Sequence, residues 1–219
     1  MDFEISTNFA KMDFIIDKIV FNDTLIYTLS FSDFEPSEYL DHLTIDEIER
    51  FKAFNHQRRK REFVATRILR HSIFGFKHIH YNEVGAPYID GEGFISISHA
   101  ENLVGIALNT FYQIGLDIEL IQDKAYRLQS KFLSESELSS FDISNHQIMT
   151  ACWSAKETLY KLAGRKKIDF KKDLHLFNME ENVWVGKIIN VNTIISVNLH
   201  IKVYNQYIIS FNSSPIEIE

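Results

Sequence analysis

Gly115-Leu116-Asp117-Ile118-Glu119 and Trp153-Ser154-Ala155-Lys156-Glu157-Thr158-Leu159-Tyr160-Lys161 are the two stretches on which the reading of this chain turns. In the first, apolar and acidic residues alternate, the two-residue period of a strand. Residues i and i+2 of a strand share a face, about 7 Å apart. Asp117 and Glu119 can then reach one ion while Leu116 and Ile118 point into a core. Gly115 leaves room for another backbone or a ligand to come close. In the second stretch, Trp153, Glu157 and Lys161 follow the i, i+4, i+8 spacing of one helix face, with Lys156 beside it. Each stretch alone is better read as a surface feature, a solvated acidic strand or a Glu–Lys helix pair. Together they supply three carboxylates with no His or Cys, which suits Mg²⁺, and two lysines, which suit phosphate. The combination points to metal-dependent chemistry on a phosphate or diphosphate.

Working outward, Ile114–Leu120 is the last of three short apolar runs, after Phe94–Ser98 and Leu103–Asn109, and the three read as neighbouring strands. Ser96 and Ser98 share one face of the first run, and Ser98-His99 ends it. An earlier strand is expected around Leu25, Tyr27, Leu29 and Phe31. Thr44-Ile45-Asp46-Glu47 has capping-box form and should start a helix towards Phe54. A longer helix is expected from about Gln57 to His71, stopping near Gly75, with Arg58, Arg61 and Arg70 on its exposed face. Gly85-Ala86-Pro87 and Asp90-Gly91-Glu92-Gly93 read as turns. Helical segments follow from Lys124 to Phe141, where Ser134 and Glu137 form a second capping box. A helix from about Asn145 to Ala163 then stops at Gly164. Four strands close the chain: Leu174–Phe177, Val183–Ile188, Ile194–Val203 and Tyr207–Phe211. Residues 1–109 and 110–219 thus form two α+β halves of similar make-up, the second carrying the acidic stretches.

Composition sets limits. The chain has 219 residues, 23 Lys+Arg against 30 Asp+Glu, and a net charge of −7. That balance argues against a general nucleic-acid binder, although Arg58-Arg59-Lys60-Arg61 and Arg165-Lys166-Lys167 are local basic runs. The single cysteine, Cys152, offers neither a disulfide nor a zinc site, and reads as a buried, inert thiol. Met1-Asp2-Phe3-Glu4 lacks the basic start and apolar run of a signal peptide, and no apolar run reaches membrane-span length. A cytoplasmic protein without a membrane association is expected. A Ser/His hydrolase is disfavoured by the lack of a Gly-x-Ser-x-Gly elbow.

The order of these motifs resembles the 4′-phosphopantetheinyl transferase superfamily, in its longer, single-chain, pseudo-dimeric group. The family pattern is an Arg-bearing helix, a Gly-Lys-Pro turn, a strand ending in Ser-His, Gly-x-Asp-x-Glu, Phe-Ser-x-x-Glu and Trp-x-x-Lys-Glu-x-x-x-Lys. This chain has, in that order, Arg61, Gly85-Ala86-Pro87, Ser98-His99, Gly115–Glu119, Leu133–Glu137 and Trp153–Lys161. The resemblance implies two similar α/β halves with the active site between them. It also implies transfer of the 4′-phosphopantetheine arm of coenzyme A to a serine of an apo-carrier protein, releasing adenosine 3′,5′-bisphosphate. By the same resemblance, Asp117, Glu119 and Glu157 would hold Mg²⁺. Lys156 and Lys161 would contact the phosphates, and Arg61, Ser98 and His99 would bind the coenzyme, Arg61 and His99 at its 3′-phosphate. Asp117, Glu157 and Lys161 would be the catalytic set, with Glu157 or a metal-held water taking the serine proton. The pseudo-dimeric plan suggests a monomer.

Two residues depart from the pattern. Ala86 stands where the turn lysine is expected, and Leu133 where Phe is. The missing lysine is the one feature that favours a non-catalytic relative that binds coenzyme A or a carrier protein. Arg50 could add to the phosphate pocket, and Arg165-Lys166-Lys167 could face an acidic carrier.

Overall fold

In the computed structural model, residues 7–8, 14–165, 167–178, 182–190 and 193–219 are described. The readings made of Met1–Glu4 and Lys166 lie outside them. The chain divides into two compact units, Met1–His80 with Pro87–Thr110, and Tyr81–Ala86 with Phe111–Glu219. Both mix helices and sheet, an α+β organisation. Among the described residues, no helix is long and apolar enough to cross a membrane.

The first unit is built on β1 (Thr7–Asn8), β2 (Phe14–Phe21) and β3 (Thr24–Phe31). A 3₁₀ turn (Pro36–His42), α1 (Ile45–Lys52) and α2 (Gln57–Phe74) follow. A short separate hairpin pairs β4 (His80–Tyr81) with β5 (Pro87–Tyr88), and β6 (Phe94–Ala100) and β7 (Leu103–Asn109) complete the set. The five-stranded sheet has the order β1-β2-β3-β7-β6, and its ladders are antiparallel. Helix α2 covers it, with Phe63, Val64 and Leu69 packed on Leu29, Val104 and Ile106.

Thr44 and Glu47 make the expected capping box, and Glu47 also reaches further. Its carboxylate accepts from Arg67 Nε and from Arg70 Nη2, each at 3.0 Å. Arg70 therefore corrects the sequence reading. It is fully buried rather than on the exposed face of α2. A guanidinium can lie there because Glu47, His42 O and Lys77 O accept from it. Strand β2 and the 3₁₀ turn were not anticipated at all.

The second unit opens with β8 (Leu116–Leu120), then α3 (Asp123–Phe132), α4 (Glu135–Ser140) and α5 (His146–Leu162). Strands β9 (Leu174–Asn178), β10 (Val183–Asn190), β11 (Thr193–Tyr204), β12 (Tyr207–Asn212) and β13 (Glu217–Ile218) follow. The sheet order is β8-β12-β11-β10-β9, with β13 on β11. The single helical stretch expected over 124–141 is two helices, because Ser134 leaves the helix to cap α4. Helix α5 starts at the Asn145 side-chain cap and lies on the sheet. Gly115 and Gly186 let it come close. A Cβ at Gly115 would sit 3.0 Å from Thr158 O, and one at Gly186 would sit 2.5 Å from Leu159 Cδ2.

Lys156 corrects a second expectation. Its side chain is fully buried, so it does not face solvent where a phosphate could meet it. Nζ donates to Glu137 Oε2 (2.8 Å), Phe132 O (2.7 Å), Phe170 O (2.8 Å) and Leu174 O (2.8 Å). Glu137 in turn caps α4 through Ser134 N (2.7 Å) and accepts from Leu176 N (2.9 Å). The pair thus ties α3, α4, α5 and β9 together. Removing one partner of a buried ion pair strands the other charge. Lys156→Met is expected to lower unfolding free energy by about 3–5 kcal/mol in urea melts; a loss within error of zero would contradict this role.

Candidate active site

Asp117 and Glu119 lie two residues apart on β8 and face α5, which runs the opposite way. The helix spacing of four residues per step matches the strand spacing of two. Trp153 Nε1 donates to Glu119 Oε1 at 2.8 Å, and Lys161 Nζ donates to Asp117 Oδ1 at 2.9 Å. Lys161 Nζ also donates to Leu116 O at 2.5 Å. Glu157 lies between Trp153 and Lys161 on the same helix face, so it points at the carboxylate pair. Trp153 is first a packing residue, stacked on Phe170 at 5.4 Å and edge-on to Phe132 at 5.2 Å, but its indole N–H also orients Glu119. Only the i, i+4 relation to Glu157 hinted at this in the sequence.

The carboxylates perturb one another. Burial, then the charge of Asp117, pushes Glu119 up to about 7, against the pull of the Trp153 hydrogen bond and Lys124. Burial and Asp117 likewise push Glu157 up to about 7, opposed by Lys161, Lys124 and Arg165. A cation among these groups would relieve their repulsion. Among the described residues, no three His, Cys, Asp or Glu side chains close a cage on their own. Mg²⁺ does not need one, since it usually keeps waters and takes substrate phosphates beside one or two carboxylates. The oxygen-only donors of Asp117, Glu119 and Glu157 fit such an ion.

The first unit carries the other predicted residues. His99, at the end of β6, accepts at Nε2 from Arg59 Nη1 (2.9 Å), because arginine has no acceptor to offer. Its Nδ1–H then faces Glu62 Oε2 at 3.6 Å. Arg58 Nε donates to Glu62 Oε1 at 2.9 Å. Arg61 donates to Phe34 O (3.0 Å) and Asp33 Oδ1 (2.5 Å). Arg58 and Arg61 line a cavity of about 210 Å³ with Phe31, Asp33, Glu101 and Asn102. Ser98 is buried on β6. In the sequence Arg58 and Arg59 stood out as members of a basic run, and Arg58 also as part of the exposed face of α2, but neither as a site residue.

In the second unit, Arg165 Nη1 donates to Gly85 O at 2.6 Å. A guanidinium therefore stands at the turn where Ala86 replaces a lysine. Burial holds the Cys152 thiol well above its ordinary range, in keeping with an inert side chain.

Residues 113–211 match the model of the ACPS family, the 4′-phosphopantetheinyl transferase superfamily. The chain belongs to the 4′-phosphopantetheinyl transferase superfamily. The matched segment contains β8, α5 and every residue of the carboxylate cluster. The chain is also similar to a holo-[acyl-carrier-protein] synthase of Staphylococcus carnosus (strain TM300), 35% identical over 77 residues. That alignment covers 27% of this chain and just under two thirds (66%) of the relative's length.

Two outcomes are expected here. Glu119 and Glu157 hold protons in the folded state between their ordinary value of 4.5 and about 7. The unfolded chain has lost those protons, so stability falls as pH rises across that window. The Tm of the cation-free protein should drop from about pH 5 to about pH 8, Mg²⁺ should restore more of it at the higher pH, and Asp117→Asn should flatten the drop. A Tm indifferent to both pH and Mg²⁺ counts against the cluster. Trp153→Phe keeps the ring packing but frees Glu119, and should weaken Mg²⁺ binding about 10- to 100-fold in a calorimetric titration; unchanged affinity reduces Trp153 to packing.

Proposed function

We propose that this protein transfers the 4′-phosphopantetheine arm of coenzyme A to a serine of an apo-carrier protein. The observation that carries the reading is the meeting of Asp117 and Glu119 on β8 with Glu157 and Lys161 on α5, in a chain of this superfamily. Asp117, Glu119 and Glu157 would hold Mg²⁺, which would supply charge neutralisation on the diphosphate. Lys161, already at Asp117, presents its ammonium to the same phosphates. Glu157, or a water beside the cation, would accept the serine Oγ proton. The serine oxygen bonds to the phosphorus that carries the pantetheine arm. The P–O bond to the adenosine-side phosphate breaks, and adenosine 3′,5′-bisphosphate leaves with the electron pair. Positioning and charge neutralisation supply most of the catalysis in such transfers.

The proposed division of labour follows the two halves, 1–109 and 110–219, in the pseudo-dimeric plan the family resemblance implies. Arg61, Ser98 and His99, joined by Arg58 and Arg59, bind the 3′-phosphate nucleotide from the first half. The second half carries the metal site. Arg165, whose Nη1 donates to Gly85 O, would supply positive charge at the turn that lacks its lysine, which supports the catalytic reading over a non-catalytic relative. Tied to Gly85 O, Arg165 serves the coenzyme rather than the carrier. The exposed Lys124, Arg127 and Lys131 share one face of α3 and suit an acidic carrier instead. The protein acts as a cytoplasmic monomer and has no nucleic-acid or membrane partner.

The test is to incubate the protein with coenzyme A, Mg²⁺ and a panel of apo-carrier proteins and to weigh the carriers. A carrier should gain the mass of the arm on a serine, and Asp117→Ala should slow the gain on the order of a hundredfold. Coenzyme A binding with no mass gain on any carrier would favour the non-catalytic reading.

A further inference from the structure

The first unit contains a second cavity, of about 420 Å³, unrelated to the residues above. Its walls are Phe14 and Ile16 of β2, Tyr39 of the 3₁₀ turn and Ile68 of α2; His42, His71 and Ser72 complete the lining. That volume is in the range of small-molecule sites, which combine apolar walls with a few polar groups. Phe14 and Tyr39 meet edge to face at 5.1 Å, which fixes the aromatic wall. The two histidines meet at Nδ1, 2.9 Å apart. One ring donates and the other accepts, so a single proton joins them.

The ground behind the histidines is positively charged. Arg67 and Arg70 are both buried and share one carboxylate, Glu47. The trio keeps one excess positive charge, and Arg70 Nη2 donates directly to His42 O at 2.8 Å. Arg67 Nη2 and Arg70 Nε find no hydrogen-bond partner among the described residues. In a low-dielectric interior such a charge acts at longer range than it would in water. Burial lowers the His42 pKa; Asp41 opposes this, and His71 and Arg70 add to it. Asp41 Oδ1, at an exposed position, lies 3.9 Å from His42 Nε2; an anion within the cavity would add a second negative group beside the buried guanidiniums.

We propose that this cavity binds a free medium-chain monocarboxylate, its chain against Phe14, Ile16, Tyr39 and Ile68 and its carboxylate at His42 and His71. Apolar walls alone would accept any alkyl chain. The paired imidazoles, with the buried Arg70 donating to His42 O behind them, select the anionic head. The inference does not depend on phosphopantetheinyl transfer, because none of these residues has a place in that reaction.

The test is calorimetric titration of the full chain with sodium decanoate, with decanol and decyltrimethylammonium as head-group controls, all below their aggregation limits. Decanoate should bind at least about tenfold tighter than either control. It should also shift the His42 and His71 imidazole ¹⁵N signals. Ser72→Trp, at an exposed position on the rim, should weaken decanoate about tenfold or more and leave carrier modification unchanged. His71→Phe should abolish the preference for decanoate over decanol, which keeps the test informative if the rim variant folds poorly. The proposal is overturned if folded wild-type protein shows no decanoate binding at millimolar concentration, or if decanoate and decanol bind alike.

Discussion

The ammonium of Lys156 sits inside the second unit and shares its three N–H donors among Glu137 and three backbone carbonyls. The arrangement of the candidate site follows from it. A helix cannot turn about its axis once one of its side chains is pinned in the core. With Lys156 facing inward, the next residue, about 100° further round, points along the sheet towards β8. Glu157 is that residue, and Trp153 and Lys161 stand one turn before and one turn after it. The close approach permitted at Gly115 and Gly186 brings this face within hydrogen-bonding distance of the strand. The Thr158 and Ser210 hydroxyls, in contact with each other, hold the middle of the same seam.

That rigidity has an electrostatic consequence. Asp117, Glu119 and Glu157 are held together by this scaffold. Burial first, and then the charge of Asp117, raises the pKa of both glutamates. Trp153 fixes one carboxylate and Lys161 another, so the donor oxygens are oriented before any cation arrives. Sites built this way give up some stability for function. Here the buried Lys156–Glu137 pair and the well-packed core of Met149, Leu159, Leu176 and Ile188 offset that cost.

Much of this was legible in the sequence. The period-two run at 115–119 and the i, i+4, i+8 spacing at 153–161 identified β8, α5 and the carboxylates, because each pattern has a single geometric solution. Lys156 was misread for a physical reason. Spacing tells which residues share a helix face, but not which face an ammonium can enter, and it is the distant Phe132, Glu137, Phe170 and Leu174 that make the interior tolerable for it. Arg70 was misplaced likewise, since its burial depends on Glu47 some twenty residues earlier. The same long-range dependence hid Arg165, whose partner Gly85 lies 80 positions away. Strand β2 escaped because Phe14–Phe21 is apolar at both faces and shows weak alternation.

The central claim is that the three carboxylates hold a divalent ion against the diphosphate of coenzyme A. Mn²⁺, a paramagnetic stand-in for Mg²⁺, tests it through the ³¹P spectrum of enzyme-bound coenzyme A. The account predicts strong broadening of the two diphosphate signals, weaker broadening of the 3′-phosphate signal, and loss of that difference in Asp117→Asn. Equal broadening of all three signals in the wild-type protein would contradict it.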